Sequence, residues 1–310
     1  MTDRTTVAAA TEMFEAVKNW GRWGDDDERG ALNLITPEKV AAAAAGSRGV
    51  VVSCGRPVPV LPAVDNPTPA QHMMVIAGDC LDATGVPGLE TALDYVGLAF
   101  HGMAVSHLDA LCHVFHDGLM YNGVPATEVK SIGALRNSVM AAADGIASRG
   151  VLLDIPRLRG IPWLEPGDTV TAAELDAAAA DAGIEVGAGD ILLVSTGRDA
   201  RRAEHGPWDP IGVGLAGLAP DCVYWIRERD IAVLGSDGVS DPLPNNDNGW
   251  PVPIHMCCLV AMGVPLLDNL DLSRLAAACA AEGKWEFLFT VAPLQIEGGT
   301  GSPVNPVAVL

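Results

Sequence analysis

Residues 95–118 read YVGLAFHGMAVSHLDALCHVFHDG, and the layout of the chain from Tyr95 to Leu111 decides the fold. This part is apolar, β-capable and broken by glycine, the composition of an interior strand. Side chains of one parity share a face of a strand. A regular strand would therefore turn His101, Met103, Val105, His107 and Asp109 to one side, with His107 and Asp109 as neighbours. Four of the seven histidines (His101, His107, His113 and His116) fall within residues 100–118, together with Asp109 and Asp117. Metal-binding and proton-transfer chemistry is concentrated here.

Outward from this stretch, RGVLLDIPRL (149–158), GDILLVSTGR (189–198) and RDIAVLGSDGVSD (229–241) read as buried strands, the last two ending in polar turns. HMMVIAG (72–78) is another strand, and VVSCGRPVPVL (51–61) a strand interrupted by prolines, hence an edge. In TAAELDAAAADAG (171–183), Thr171 and Glu174 predict a capping box, and Gly183 sits where a helix terminator belongs. Thr36 before Pro37 starts a second helix. APDCVYWIRER (219–229) reads as a third. HMCCLVAMGVPLLDNLDL (255–272) begins as a helix, breaks at Gly263 and Pro265, and runs into a short strand carrying Asp268. KWEFLFTVAPLQI (284–296) is a closing strand and GGTGSPVNPVAVL (298–310) a loop-like tail. Residues 1–18 form a helical arm with Phe14 and Val17 on its apolar face, and 19–40 an ordered loop carrying Trp20 and Trp23. Strands and helices do not alternate strictly, which argues against a Rossmann sheet or a (β/α)₈ barrel. With no repeat and no composition break, a single domain over residues 1–310 is expected.

The 310 residues are 49% hydrophobic and 19% charged, the balance of a packed globular enzyme. A formal charge of −20 disfavours nucleic acid and anionic membranes, which need a positive surface. No apolar run approaches a membrane span and the start lacks a secretory pattern, so a cytoplasmic protein is expected. Seven scattered cysteines without a Cys-x-x-Cys spacing predict buried free thiols rather than a disulfide framework or zinc knuckle.

A His-x-Asp pair on one strand face offers an imidazole nitrogen and a carboxylate oxygen to one divalent ion such as zinc or manganese. His113 is placed as a further ligand or a general base; a capped His107 and a salt-bridged Asp109 are the structural alternative. Ser106 faces away from His107 and is no nucleophile. His116 and Asp117 belong to a solvated turn. Tyr121, Trp23 and Trp250 are candidate substrate contacts, and Asp237, Ser240 and Asp241 hold the turn after a strand.

SHLDALCH resembles the signature of the metal-dependent cyclase superfamily, which includes kynurenine formamidases and isatin hydrolases and is written His-x-Gly-Thr-His-x-Asp-x-x-x-His. The likeness extends, in order, to NWGRWGDDDERGALNLITPE, GDILLVSTGR, AVLGSDGVSD, HMCCLVAMGVPLLDNLDL and GTGSPVNPVAVL. It implies a β-rich α/β fold of the swivelling β/β/α type with mixed sheets and peripheral helices, in a homodimer or homotetramer. The implied activity is hydrolysis of a C–N bond in a small cyclic or aryl amide at one or two zinc or manganese ions. By position, His107 and Asp109 are metal ligands, His113 the acid/base, His255 a ligand to a second metal, and Asp268 stands where the family has an acidic ligand, typically glutamate. Two departures stand out. Met103 replaces a ligand histidine, and thioether sulfur is a poor ligand for either ion. His101 lies one two-residue repeat further, roughly 7 Å along a strand, and can substitute only through a bulge at Gly102. The alternative is a metal-free scaffold that binds a small molecule or performs histidine/carboxylate dehydration or cyclisation.

Overall fold

The computed structural model describes residues 4–80, 84–244 and 250–310. Nine strands form its main sheet: β1 (Val51–Ser53), β2 (His107–Asp109), β3 (Ile146–Asp154), β4 (Ile191–Ser195), β5 (Val233–Ser236), β6 (Leu266–Asp268), β7 (Glu286–Val291), β8 (Gly301–Pro303) and β9 (Val307–Val309). Their spatial order is β1-β9-β7-β3-β4-β5-β6-β2-β8. The central run β3-β4-β5-β6 is parallel, joined by helical crossovers, and the flanking pairs are antiparallel.

This order forces the sheet to curl. Laid flat, β9 and β8 would be seven inter-strand spacings apart, roughly 34 Å. Only residues 304–306 join them, a link that reaches about 15 Å at most. The two ends of the sheet are therefore bent toward each other into one α/β domain.

Both faces of the parallel strands are apolar, as burial on both sides requires. Val151, Leu153, Leu192, Val194, Leu234 and Leu266 join one core with the helices. Leu152, Ile191, Leu193, Val233 and Leu267 join another with Leu108, Phe287 and Phe289. The first core is roofed by helix Pro253–His255, continuing through wide turns over Met256–Met262, and by helix Arg4–Val17, which buries Ala10, Met13, Phe14 and Val17 at helical spacing. The arm thus packs on the body of its own chain.

Helix Ala172–Ala182 carries the capping box of Thr171 and Glu174 and ends on left-handed Gly183; helix Pro37–Ala45 is capped by Thr36. Six cysteines are buried and Cys80 is exposed, all as free thiols. No described helix is long and apolar enough to cross a membrane.

Two expectations fail. The chain from Tyr95 to Asp109 is not one interior strand. Leu93–Gly97 pairs with Gln71–Ile76 in a separate exposed hairpin, residues 98–106 form no strand, and only His107–Asp109 enters the main sheet. Gly102 bends the chain at φ +152°, and nearby backbone carbonyls bond to side chains instead of a ladder. The C-terminal stretch is not a loop, because it supplies β8 and β9. Three-residue strands bounded by glycine and proline leave no period-2 pattern to read.

Candidate functional site

Register assembles the first half of the site. β2 lies between β6 and β8, with His107 opposite Asp268 and Asp109 opposite Leu266 and Gly301. Directly opposed residues share a face, so His107, Asp109 and Asp268 all point toward the core under helix Pro253–His255. Each is no more than 2% exposed. Leu108 and Ser106 point the other way; the Ser106 hydroxyl donates to Asn269 O at 2.6 Å and accepts from Arg56 N.

The helix supplies His255. Asp241 takes the backbone N–H groups of Ile254 (2.7 Å) and His255 (3.1 Å), and His255 Nδ1 donates to it at 2.6 Å. That bond leaves Nε2 as the free nitrogen, 3.6 Å from Asp109 Oδ2 and 3.5 Å from Asp268 Oδ2. His107 is oriented in the same way: Nδ1 donates to Val105 O at 2.8 Å, and Nε2 lies 3.5 Å from Asp109 Oδ1. In both rings the second nitrogen sets which lone pair faces the centre.

The remaining imidazoles come from the irregular chain on either side of β2. The bend at Gly102 brings His101 Nδ1 to 3.0 Å from Asp109 Oδ1, while its Nε2 bonds Thr300 Oγ1 at 3.1 Å. His113 Nε2 is 3.9 Å from the same carboxylate oxygen, and its ring stacks on His101 with centroids 4.0 Å apart. Ligand atoms of His101, Asp109 and His113, and those of His107, Asp109 and Asp268, lie within 4.8 Å of one another in each set.

These groups are short of positive charge. Both oxygens of Asp109 and Oδ1 of Asp268 are buried with no hydrogen-bond partner, and an unsatisfied buried carboxylate is costly. Burial alone would raise the Asp109 pKa, but the imidazoles of His101 and His255, with His107 and His113 behind them, hold it well below the usual range. Burial likewise works against a charged His255, yet Asp109, Asp241 and Asp268 raise its pKa well above normal. Burial and the nearby Asp109 charge push Asp268 up. Burial pulls His113 down to about 4, so this ring is neutral at physiological pH. Orphaned carboxylate oxygens beside imidazole nitrogens are the donor set of a divalent cation such as zinc or manganese, which would take the place of the proton these carboxylates hold on His255, and the residues present fit one.

Beside His101 a cavity of about 320 Å³ opens to solvent, with Val64, Phe100, Met103 and Ile211 among its walls. Other expected contacts are placed differently. Tyr121 is fully buried, its hydroxyl donates to Asp27, and its ring packs on Gly263, where a Cβ would come within 2.5 Å of it; a diffusing substrate cannot meet it. Trp23 packs half-buried against the helical core, with the Arg22 guanidinium over its ring. Trp250 is buried beside His116 and Phe14, so His116 belongs to an aromatic cluster rather than a solvated turn; the Asp117 side chain is exposed. Residues 245–249, which lead up to Trp250, lie outside the described residues. Asp237 holds its turn by accepting from Thr196, Gly197 and Arg198 N–H groups. Sequence reasoning did not single out Asn269, Arg198 or Thr300, whose partners come from distant parts of the chain.

A curled mixed sheet with buried histidines and carboxylates at one end defines an α/β protein built around a candidate metal centre. Residues 57–241 match the family model Cyclase, and the chain belongs to that family. The crystal structure of a novel cyclase is 34% identical and superposes with a TM-score of 0.84, covering 96% of this chain and 99% of that one. Isatin hydrolase A from Ralstonia solanacearum, at 21% identity and TM-score 0.60 over 89% of this chain and 98% of that one, shares the fold. An isatin hydrolase from Roseibium aggregatum is 29% identical over 152 residues, 47% of this chain and 54% of its own. The match thus spans about half the length of that curated relative.

Proposed function

We propose that the protein is a metal-dependent hydrolase that cleaves a C–N bond of a small cyclic or aryl amide. The observation that carries this reading is the pair of buried, unpartnered oxygens on Asp109, facing the Nε2 atoms of His107 and His255, with Oδ1 of Asp268 unpartnered beside them. His101, His107, Asp109, Asp268 and His255 would hold one or two divalent ions. His101 stands in for the imidazole that Met103 lacks, which argues against a metal-free scaffold. The likeness to an isatin hydrolase favours a cyclic amide, and the size and apolar walls of the cavity beside His101 suit a small aryl substrate.

When bound, the ion supplies Lewis acidity toward a carbonyl oxygen and toward water. Neutral His113, stacked on the cavity-lining His101, accepts a proton from the attacking water as its oxygen bonds the amide carbon. The same ring returns that proton to the nitrogen as the C–N bond breaks. Asp241 keeps the His255 proton on Nδ1, and Val105 O keeps that of His107 on Nδ1. We further infer that the working form contains at least two copies of the chain.

Metal analysis of purified protein, with turnover of isatin and small aryl formamides before and after chelation, tests the reading. Stoichiometric metal and loss of turnover on chelation are expected. Full turnover by a metal-free, chelator-treated preparation would refute it.

A further inference from the structure

The loop that carries His101 has no strand partner, yet it is held firmly by two side chains from elsewhere. Arg198, at the start of helix Arg198–His205, is 4% exposed. Its Nη2 donates to Met103 O at 2.6 Å, and its Nη1 donates to Asn269 Oδ1 at 2.6 Å and Asp237 O at 3.2 Å. Asn269, fully buried and in the left-handed region at φ +54°, donates through Nδ2 to Gly102 O at 2.8 Å and Val105 O at 3.4 Å. Three carbonyls between His101 and His107 thus converge on one pair of side chains.

Neither residue sits there cheaply. No described carboxylate oxygen lies within ion-pair distance of the Arg198 guanidinium, and its Nε has no partner. Burial and the neighbouring Arg56 lower its pKa, although a guanidinium remains charged at neutral pH. Asp199, Asp237 and the Trp208 ring offset part of that burial, yet an apolar side chain of similar volume would remove the desolvation cost, so fold stability alone gives little reason for a cation without an ion pair there. What the cation does supply is fixed donor geometry toward Met103 O and Asn269. Asn269 directly follows Asp268, and the Val105 carbonyl it holds is the one that orients the His107 ring.

We propose that Arg198 and Asn269 are positioning residues: a clamp on the carbonyls of Gly102, Met103 and Val105 that sets His101 and His107 around Asp109. The proposal rests on the metal reading above for its first readout and is independent of it for its second. The clamp converts a glycine-bent loop into a fixed support for two imidazoles, and it ties that support to the strand bearing Asp268.

The test uses the full chain. Zn(II) affinity is measured by competition with a chromophoric chelator, and the Co(II) visible spectrum reports coordination, for Arg198→Met and Arg198→Lys in native and His101→Ala backgrounds. Arg198→Met is expected to weaken Zn(II) binding tenfold or more and to change the Co(II) bands, with partial recovery in Arg198→Lys. In the His101→Ala background the loss shrinks, because both changes release the same ligand. Equal losses in the two backgrounds with an unchanged Co(II) spectrum would mean a purely structural role and overturn the clamp. If the native protein binds neither ion, the metal reading fails, and imidazole ¹H–¹⁵N spectra decide. A His107 Nδ1–H signal that shifts or broadens in Arg198→Met supports the clamp, and an unchanged one overturns it. If Arg198→Met does not fold, Asn269→Ser, which withdraws the donors from Gly102 and Val105, is read in its place with the same outcomes.

Discussion

Asp241→Asn probes the candidate centre without touching any group that would meet an ion. In the native chain one carboxylate accepts three hydrogen bonds: Ile254 N at 2.7 Å, His255 N at 3.1 Å and His255 Nδ1 at 2.6 Å. An asparagine must point its NH₂ at one end of this set. Kept toward His255, the amide oxygen preserves two bonds and sets its NH₂ against the Ile254 N–H. One buried donor is then unsatisfied, at about 1–3 kcal/mol. The negative charge that polarises the imidazole is lost in either orientation, and changes of this kind weaken metal binding by roughly 10–100-fold. Zn(II) competition titrations read the affinity, and denaturant melts of metal-free protein read the fold. The expected result is a loss of affinity of about tenfold or more, beside a stability loss of about 1–3 kcal/mol. Native Zn(II) affinity in a folded Asp241→Asn protein would show that His255 does not reach an ion through Nε2, and the ligand set would have to be redrawn.

Other outcomes follow from the same geometry. Burial holds the His113 pKa at about 4 in the folded chain, below the ordinary imidazole value of about 6.5. Its contribution to the stability of the metal-free protein is fully present above pH 6.5 and is lost as pH falls to about 4, amounting to about 3 kcal/mol. Chemical denaturation at pH 7 and pH 4 should show this loss, and His113→Phe should remove that part of the pH dependence. Asp109→Asn is expected to abolish any rise in melting temperature on adding Zn(II), and a retained rise would place the ion elsewhere. Phe14→Ala opens a cavity under helix Arg4–Val17 and should cost about 3–5 kcal/mol by denaturant melts. The hairpin of Gln71–Ile76 and Leu93–Gly97 exposes Met73, Val75, Tyr95 and Val96, and a two-stranded hairpin standing alone is marginal in water. A second copy of the chain is the expected cover. Sedimentation should give a multiple of 32.1 kDa, lowered by Val75→Glu with Val96→Glu, whereas a native monomer would refute it.

How much of the site is legible in the residues depends on where each side chain's neighbours come from. The His107 and Asp109 pair follows from strand parity, because the two residues stand at alternate positions of one strand. Thr171 with Glu174 is equally local. His101 is different. Strand geometry placed it roughly 7 Å too far along, and only the bend at Gly102, stabilised by donors from Arg198 and Asn269, returns it to Asp109. Asp241 was recognisable as a turn residue, but its bond to His255 bridges a polar segment whose course no local pattern sets. Tyr121, aromatic and set among turn residues, resembled a surface contact, yet tertiary packing on Gly263 buries it completely. The fold class was readable through the family likeness. The curl was not, because it depends on the pairings of β8 and β9, which only the folded chain reveals.

The position of β2 also sets a timetable. The strand bearing His107 and Asp109 is made early in synthesis, but the strands on either side of it, Leu266–Asp268 and Gly301–Pro303, follow more than a hundred residues later. Until both have emerged, the acidic cluster has no floor and His255 no helix seat, so a partly made chain offers scattered ligands rather than a cage. Metal capture by these residues would therefore wait for the closing steps of folding, when those long-range pairings form, and a ribosome-bound fragment ending before residue 266 should take up no ion stoichiometrically.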